Sequence, residues 1–423
     1  MQEKELYSKA CVARSIKFVI DKAKDESVHL KDYENFSCNV ATILARDKEV
    51  VAVRLIPYSN KCEVYIAKNS PWLKEDIAYI DKIKKYVKNL SKDAPIKLDK
   101  ALEREDVRSL FEDVLNYCSD KLFTRFEKLI NDIKKDIINN QQNYHIKSFM
   151  DFASINAENI DEVNGYVLSN ICSIYYDKFK NSSAPKKFLR HIKKLGSYYA
   201  ALIDITACAC KDKYKLLFSN MNMHKLEPIV ISQPIFSWEN IVQKYIPDHT
   251  KYKEFKRRCL DDDFISKRLT EIYGNVNKLD NESIEQHIYL HAEMNLLTNI
   301  IDQKYKGRAF IAVSTRSCYL CELYIRFVNK KGYNIYISGA HKKLYSKWVL
   351  PKIKNTDLRN ESLKDMIKQL DEVINEELVN HISIVMRSDS DGESVKSSTN
   401  PNIHKKGGNL IRARLAKLIP QTY

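Results

Sequence analysis

The chain has 423 residues, of which 44% are hydrophobic, so it is long enough for two or three domains and apolar enough to bury their cores. This composition excludes an intrinsically disordered protein. The 70 Lys and Arg residues outnumber the 55 Asp and Glu residues, and the net charge of +15 favours polyanionic partners without choosing among RNA, DNA and anionic membrane surfaces.

The beginning of the chain and its cysteines bear on location. The first residues include acidic side chains and no long apolar segment, so they do not predict a secretion signal. The most apolar later run, YYAALIDITACAC, is too short to span a bilayer and is interpreted as a buried helix. The ten cysteines lack the regular spacing of a disulfide scaffold. We therefore expect a cytoplasmic protein with free thiols and no membrane partner, while export by a route without such a signal stays open.

One helix and three strands are predicted at the beginning of the chain. Apolar residues recur at helical spacing over residues 6–24. From residue 39 three β-rich runs follow, NVATILA, EVVAVRLI and CEVYIA, and polar turns separate them. The simplest arrangement of these runs is a meander of three short strands.

Residues 73–280 are predicted to form a helical region punctuated by prolines. Two of its runs, PKKFLRHIKK at 185–194 and KYKEFKRR at 251–258, interleave aromatic rings with cations, as do surfaces that bind single-stranded nucleic acid. The alternative is a solvated helix face whose aromatic side chains belong to the core.

Helix and strand patterns alternate after residue 280. The predicted order is a helix, MNLLTNII, a strand, AFIAVS, a second helix, YLCELYIRFV, and a second strand, YNIYIS. Gly307 and Gly332 are expected to end the two helices. Such a strand-helix-strand crossover makes its two strands parallel. A helix over residues 359–378 then leads into ISIVM, which is predicted to be a further parallel strand.

From Arg387 the chain is polar and rich in Gly and Ser, which predicts a disordered basic tail. Its last segment, NLIRARLAKLIP, has the pattern of a short amphipathic helix. The predicted organisation is therefore an N-terminal helix with strands, a helical insertion, a core that contains the motif described next, and the tail, at residues 1–72, 73–280, 281–386 and 387–423.

The stretch HAEMNLLTNIIDQKYKGRAFIAVSTRSCYLC contains a His-x-Glu before a predicted strand and a Cys-x-x-Cys after it. One imidazole and two thiolates are a typical ligand set for a catalytic zinc ion, which keeps its fourth position open for water. His291, Cys318 and Cys321 are therefore predicted metal ligands, and Glu293 beside them is a predicted general acid and base. In the alternative, His287 completes a closed structural zinc site, where Glu293 would have no role.

This order of residues resembles the zinc-dependent cytidine deaminase superfamily, in which His-Ala-Glu, a strand and a Cys-x-x-Cys that opens a helix follow one another. The resemblance extends from His291 to Pro351. Within it, HAEMNLL, CYLCELYI and GAHKKLYSKWVLP look like a divergent deaminase group shared by some intracellular bacteria and fungi. The resemblance implies an α/β fold class, namely a three-layer α-β-α cytidine deaminase-like fold with a large all-helical insertion.

The resemblance also implies where a substrate binds. Asn69 follows the CEVYIA strand, where the family often has an Asn that contacts the sugar or base, although a turn-capping role explains it as well. Ala292 and Ser317 flank the predicted ligands and are expected to contact the base. The family commonly has Pro at the position of Ser317, and this departure leaves the substrate open. His341 follows a strand at a sheet edge where ligands bind, so it is either a phosphate or base contact or a surface histidine.

The predicted function is zinc-dependent hydrolytic deamination of cytosine or adenine, with Zn2+ as cofactor. RNA or single-stranded DNA is the favoured substrate, because the chain is basic and because parallel final strands occur in deaminases that act on larger substrates. One alternative is a deaminase of free nucleosides or nucleotides, and another is a non-catalytic protein with a structural zinc site. The sequence does not indicate the base, the oligomeric state, or a housekeeping role as opposed to that of a toxin.

Overall fold

The computed structural model describes residues 1–20, 29–139, 143–156, 165–280 and 283–388. Within these ranges the chain forms seven strands: β1 Val51–Pro57, β2 Cys62–Lys68, β3 Met221–Leu226, β4 Val230–Ile235, β5 Ile284–Tyr289, β6 Arg308–Val313 and β7 Asn334–Ile337. Five of them form one mixed sheet in the order β3-β2-β1-β6-β7, while β4 and β5 pair separately. Strands β1 and β2 form an antiparallel hairpin, and β6 lies antiparallel to β1.

The helices surround this sheet. In the described part of the chain they are α1 Gln2–Ile16, α2 Asp32–Ile43, α3 Lys74–Lys92, α4 Leu98–Leu102, α5 Glu105–Tyr117, α6 Ser119–Ile138, α7 Tyr144–Ala153, α8 Gly165–Phe179, α9 Lys186–Ala209, α10 Lys215–Ser219, α11 Trp238–Val242, α12 His249–Asp261, α13 Asp263–Tyr273, α14 Ala292–Asp302, α15 Tyr319–Lys330 and α16 Thr356–Ser388. Short 3-10 turns lie at Asp212–Tyr214 and Val276–Lys278. None of these helices is both long and apolar enough to cross a bilayer.

Helices cover both faces of the sheet. Because successive side chains of a strand point to opposite faces, β6 contributes to two cores. Ile311 and Val313 of β6 belong to a core with α1, α14, α15 and α16. Phe310 and Ala312 belong to the opposite core, to which α2, α3, α5 and α9 contribute. This is the predicted three-layer α-β-α arrangement, and a further small core joins α6, α7, α8 and α9.

The predicted crossover is confirmed, since β6 and β7 are parallel and α15 connects them. The predicted buried helix YYAALIDITACAC lies in α9 except for its last residue, Cys210, which caps the helix. The cysteines are free thiols as predicted, and all but Cys38 are buried.

The first predicted strand, NVATILA, is wrong, because most of this segment belongs to α2. Its β-branched residues favoured a strand. In the structure Phe36, Val40 and Ile43 are spaced four and three residues apart, and all three are buried in one core. Packing of that helical face against the sheet outweighs the weak local preference for a strand.

The opening helix is confirmed only in its first part. It ends at Ile16, and Lys17 is extended. Val19 then pairs with Lys343 in an isolated bridge, so backbone pairing replaces helical hydrogen bonds from this point. Residues 21–24 of the predicted helix lie outside the described residues.

The predicted strand ISIVM is also wrong, since this segment continues α16 to Ser388. No Gly or Pro occurs between Thr356 and Ser388, so no residue stops the helix. The argument that parallel final strands favour a larger substrate is therefore lost. The predicted tail helix NLIRARLAKLIP lies outside the described residues.

Residues 73–280 are mostly helical as predicted, but they are not all-helical. Strand β3 adds to the edge of β2 in parallel, and β4 pairs with β5. Both strands obtain their hydrogen bonds from distant parts of the chain, so the pattern of their own residues gives little indication of a strand. Helices α3, α5 and α9 share a core with β1 and β2, and the domain boundaries stay a prediction.

A buried ion-pair network ties α3 to the end of β2. The side chain of Asp76 is fully buried, and it accepts hydrogen bonds from Lys68 Nζ at 2.5 Å, the Leu73 amide at 2.8 Å and Tyr117 Oη at 2.9 Å. Burial by itself raises the pKa of a carboxyl group, but these donors, Lys68 above all, lower the pKa of Asp76 below its usual value.

We expect Asp76→Asn to lower the free energy of unfolding by about 3 kcal/mol, the lower end for breaking a buried pair, because the buried Lys68 keeps Glu49 as its remaining counter-charge. Urea unfolding measures this change. The neighbouring Glu75→Gln is the control, since Glu75 is mostly exposed and its pair with Arg46 is expected to contribute less than about 1 kcal/mol. Because the pKa of Asp76 is lowered in the folded state, its contribution is present above about pH 4 and is lost as the pH falls further. Equal losses in the two variants would contradict this assignment.

Candidate metal centre and active site

Two helix N-termini meet at one end of the sheet. His291 precedes α14, and Cys318 precedes α15. The chain runs away from this end along α14 and returns along β6, so Cys318 is brought back to the level of His291 although 26 residues separate them. Cys321 lies in the first turn of α15, one turn from Cys318.

The side chains of His291, Cys318 and Cys321 form a compact group of potential metal ligands, which we call the metal group. The two sulfurs are 3.4 Å apart, and His291 Nδ1 lies 3.5 Å from Cys318 Sγ and 3.3 Å from Cys321 Sγ. Around a tetrahedral zinc ion, ordinary Zn–S and Zn–N bonds would separate two sulfurs by about 3.8 Å and a sulfur from a nitrogen by about 3.6 Å. The donor set therefore fits a zinc ion with shifts of a few tenths of an ångström.

The charges of this group favour a bound cation. Burial opposes ionisation of Cys318, but its hydrogen bond with Cys321 and the nearby His291 lower its pKa to about 6. Burial and the neighbouring Cys318 raise the pKa of Cys321. Burial likewise opposes protonation of His291, yet Cys318 raises its pKa. Two sulfurs in contact cannot both ionise easily without a cation between them.

Glu293 lies in the first turn of α14 with only 2% of its surface exposed. Its carboxyl group is close enough to Cys321 for a hydrogen bond. Its Oε2 atom is buried and has no hydrogen-bond partner in the described residues. A buried oxygen without a partner is costly, so this atom is available to a water molecule or a substrate at the metal group.

The closed four-ligand alternative finds no support here. The segment before His291 is extended as β5, and His287 is exposed on it, opposite Ser232 of β4. The group of potential ligands among the described residues contains His291 and the two cysteines but not His287.

His341 lies near the metal group. Its Nδ1 accepts a hydrogen bond of 3.0 Å from the Lys343 amide, so the neutral ring carries its proton on Nε2. Burial and the charge of Lys343 lower its pKa, while Glu293 has the opposite effect, which places the two side chains within electrostatic reach. The imidazole is therefore a neutral donor at pH 7.

Ser317 and Ala292 are both buried beside the predicted ligands. The Ser317 amide donates to the Gly339 carbonyl, and the Ser317 carbonyl accepts from the His341 amide, so the loop after β7 is held against the loop before α15. Ser317 Oγ has no partner among the described side chains and backbone. Direct contact of Ser317 and Ala292 with a substrate stays a prediction.

Asn69 joins the two ends of the β1–β2 hairpin. Its Oδ1 accepts from the Val50 amide at 2.8 Å, and its own amide donates to the Val50 carbonyl. Ser314, which follows β6, accepts a hydrogen bond from the Val51 amide through its hydroxyl and donates its own amide to the Val51 carbonyl. Asn69 therefore lies at the end of the sheet where β6 leads on to Cys318. A contact of its Nδ2 group with a substrate stays a prediction.

Aromatic residues that the sequence reasoning missed surround the metal group. The ring of Tyr289 stacks on His291 with centroids 5.3 Å apart. Tyr345 presents its ring to His291 at 6.3 Å and to His341 at 5.6 Å. The only sequence signal for them was their position next to the motif, in YLHAE and HKKLY, because the fold rather than the spacing brings these rings together.

The segment that contains the metal group matches one known protein family. Residues 290–352 match the model of a family described as OTT_1508_deam-like deaminase. This segment includes His291, Glu293 and both cysteines. No curated protein and no solved structure gave a match. Residues 290–352 therefore form a deaminase-like domain, which supports deaminase activity in general, while membership of the wider cytidine deaminase superfamily and of its narrower group stays a prediction.

Proposed function

We propose that the protein is a zinc-dependent hydrolytic deaminase of cytosine or adenine and that its substrate is the base of a single-stranded nucleic acid. The observation that carries this proposal is the buried carboxyl group of Glu293 beside the three potential metal ligands, with an oxygen that no described group satisfies. A structural zinc site does not require such a group.

His291, Cys318 and Cys321 would hold the zinc ion, which would supply a Lewis acid that lowers the pKa of a water molecule to about 7. Glu293 Oε2 would accept a proton from the attacking water and return it to the amino group of the base. Water adds to the ring carbon, the carbon–nitrogen bond breaks, and the amino group leaves as ammonia. Because Glu293 is almost fully buried, bulk water does not compete for its oxygen.

The residues around the group support a flat aromatic substrate. Tyr289 and Tyr345 offer rings beside His291. The imidazole of His341, which is neutral at pH 7, offers an N–H donor. Stacking and one directed hydrogen bond are the means by which proteins hold an extruded or single-stranded base.

Two experiments test the proposal. Purified protein loaded with zinc is incubated with RNA, single-stranded DNA, free nucleosides and nucleotides, and the products are separated by mass. In parallel, nucleic acid from cells that express the wild type or Glu293→Gln is sequenced. C-to-T or A-to-G changes only with the wild type support the proposal. Deamination of free nucleotides alone would favour the metabolic alternative, and no deamination of any substrate would contradict the proposal.

We expect His341→Ala to raise KM about fivefold with a smaller change in kcat, because it removes one neutral hydrogen bond to the substrate. Steady-state kinetics on the best substrate measures both constants. His287→Ala, which removes an exposed histidine from β5, should change neither. An unchanged KM in His341→Ala would assign His341 to the loop structure alone.

A further inference from the structure

Helices α6 and α9 bring four cations together on the surface. Arg125 of α6 donates from Nη1 to the Lys194 carbonyl of α9 at 2.8 Å, and His191 of α9 contacts the Arg125 carbonyl at 2.9 Å. These bonds fix the two helices side by side. Lys128, Arg190 and Lys194 are exposed, and Arg125 is half-buried. We call Arg125, Lys128, Arg190 and Lys194 the α6/α9 cluster.

The members of the α6/α9 cluster have no direct carboxylate partner in the described part of the chain. None of its four members forms an ion pair with a carboxylate of the described residues. Partial burial lowers the pKa of Lys194, and so do, in decreasing order, Arg125, Arg190, Lys128 and Lys343. Asp132 of α6 is the acid near this group, since it raises the pKa of His191 while Lys128 and Lys194 lower it. Four cations against one such carboxylate leave a positive potential that a polyanion can relieve.

The other basic run of the sequence behaves differently. Arg257 and Arg258 pair with acids of their own helix, and Lys256 pairs with Asp280. Tyr252 and Phe255 of this run are buried in the core. The run at 251–258 is therefore an ordinary solvated helix face, whereas Arg190 and Lys194 of the run at 185–194 form no ion pair with a described carboxylate.

Lys343 lies beside the rings that border the metal group. Its ammonium lies 5.3 Å from the ring centroid of Phe18, and its positive charge is one of those that lower the pKa of Lys194. Arg14 lies over the same ring at 4.5 Å. Phe18 contacts Tyr345 edge to face at 6.0 Å, and Tyr345 in turn borders His291. Lys343 and the partly exposed rings of Phe18 and Tyr345 thus form a path that ends at His291.

We propose that the α6/α9 cluster, Lys343 and Phe18 form a track that binds the phosphates and one flanking base of a single-stranded polynucleotide and directs it to the metal group. Alternating cations and stacking rings fit a single strand, whose bases are free to stack. A duplex would present only phosphates, and an acidic peptide would not need the rings. The track rests on the proposed function only for the reaction at its end. Its binding of a single strand can be measured without deamination.

The test is the salt dependence of binding. Fluorescence anisotropy of a labelled single-stranded oligonucleotide is measured from low to physiological salt with the full-length protein. Arg190→Gln combined with Lys194→Gln removes two phosphate contacts, so the slope of log affinity against log salt should become shallower by about 1.4, with a loss of affinity at every salt concentration. Phe18→Leu should weaken binding roughly fivefold or more with little change in slope.

The matched control is Lys251→Gln combined with Lys253→Gln, which makes the same change of charge on exposed positions of α12. This variant should keep the wild-type slope. Equal slopes for wild type, cluster variant and control would overturn the assignment, as would equal losses in both variants, which would indicate only general charge. Loss of binding to vesicles of anionic phospholipid with unchanged oligonucleotide binding would also overturn it and assign the cluster to a membrane surface. Thermal melting of each variant verifies that it folds.

Binding and turnover separate the two proposals. If the cluster variant loses oligonucleotide affinity and the wild type deaminates nothing, the track is supported and the proposed function fails. If the wild type deaminates single strands and the cluster variant does so with unchanged KM and slope, the track is wrong and the proposed function stands.

Discussion

Glu293→Gln is expected to lower the rate of deamination by about a hundred- to ten-thousand-fold, the usual contribution of a positioned acid and base. Gln has nearly the shape of Glu, but its amide cannot take a proton from water and return it to a leaving amine. Because the carboxyl group is not one of the three potential ligands, the variant should bind zinc with the same stoichiometry as the wild type.

Single-turnover rates and zinc content of the same preparation measure the two quantities. Glu285→Gln is a suitable control, since Glu285 is an exposed carboxylate on β5, before the motif, and it should retain full activity and metal. A Glu293→Gln protein with wild-type turnover would exclude the proposed role of this residue. Loss of zinc together with activity would instead make Glu293 part of the metal site.

Cys321→Ser is expected to abolish metal binding and activity together. A serine hydroxyl does not ionise at neutral pH and is a poor zinc ligand, so only two ligands would remain of a set of three. Since a metal that binds only the folded state stabilises it, the wild type should also melt at a higher temperature with zinc than after chelation, and the variant should show no such difference.

Zinc content by elemental analysis and thermal melting with and without a chelator are the measurements. Cys259→Ser is the matched control, because Cys259 is equally buried but lies in α12, outside the group of potential ligands. This control should lose some stability from a buried hydroxyl and keep its zinc. Zinc retained in Cys321→Ser, or lost equally in both variants, would contradict the assignment of Cys321.

The sequence predicted the helices that carry the motif. The positions of His-x-Glu and Cys-x-x-Cys indicate where α14 and α15 begin, and Gly332 follows the end of α15, whereas Gly307 directly precedes β6, five residues after α14 ends at Asp302. These signals act over a few residues of chain, where backbone geometry by itself decides which side chains share a direction.

Predictions that depended on distant partners were less successful. NVATILA looked like a strand and ISIVM like another, yet each lies in a helix, and β3 and β4 were not indicated at all. A strand needs hydrogen bonds from a neighbour, and no local pattern states which neighbour is available. The hydrogen bond between Asn69 and Val50 likewise depends on the pairing of β1 with β2.

By itself, the sequence indicated the potential metal ligands, the carboxyl group beside them and the strand that separates the two halves of the motif, because these depend on residue type and short spacing. Only the tertiary structure decided which other side chains surround the metal group. It brought Tyr345 to His291, excluded His287 from the group of potential ligands, and distinguished the unpaired cations of α9 from the paired cations of α12. Charge and aromatic content are properties of residues, but whether an acid neutralises a cation or a core buries a ring depends on packing between parts of the chain that are far apart in sequence.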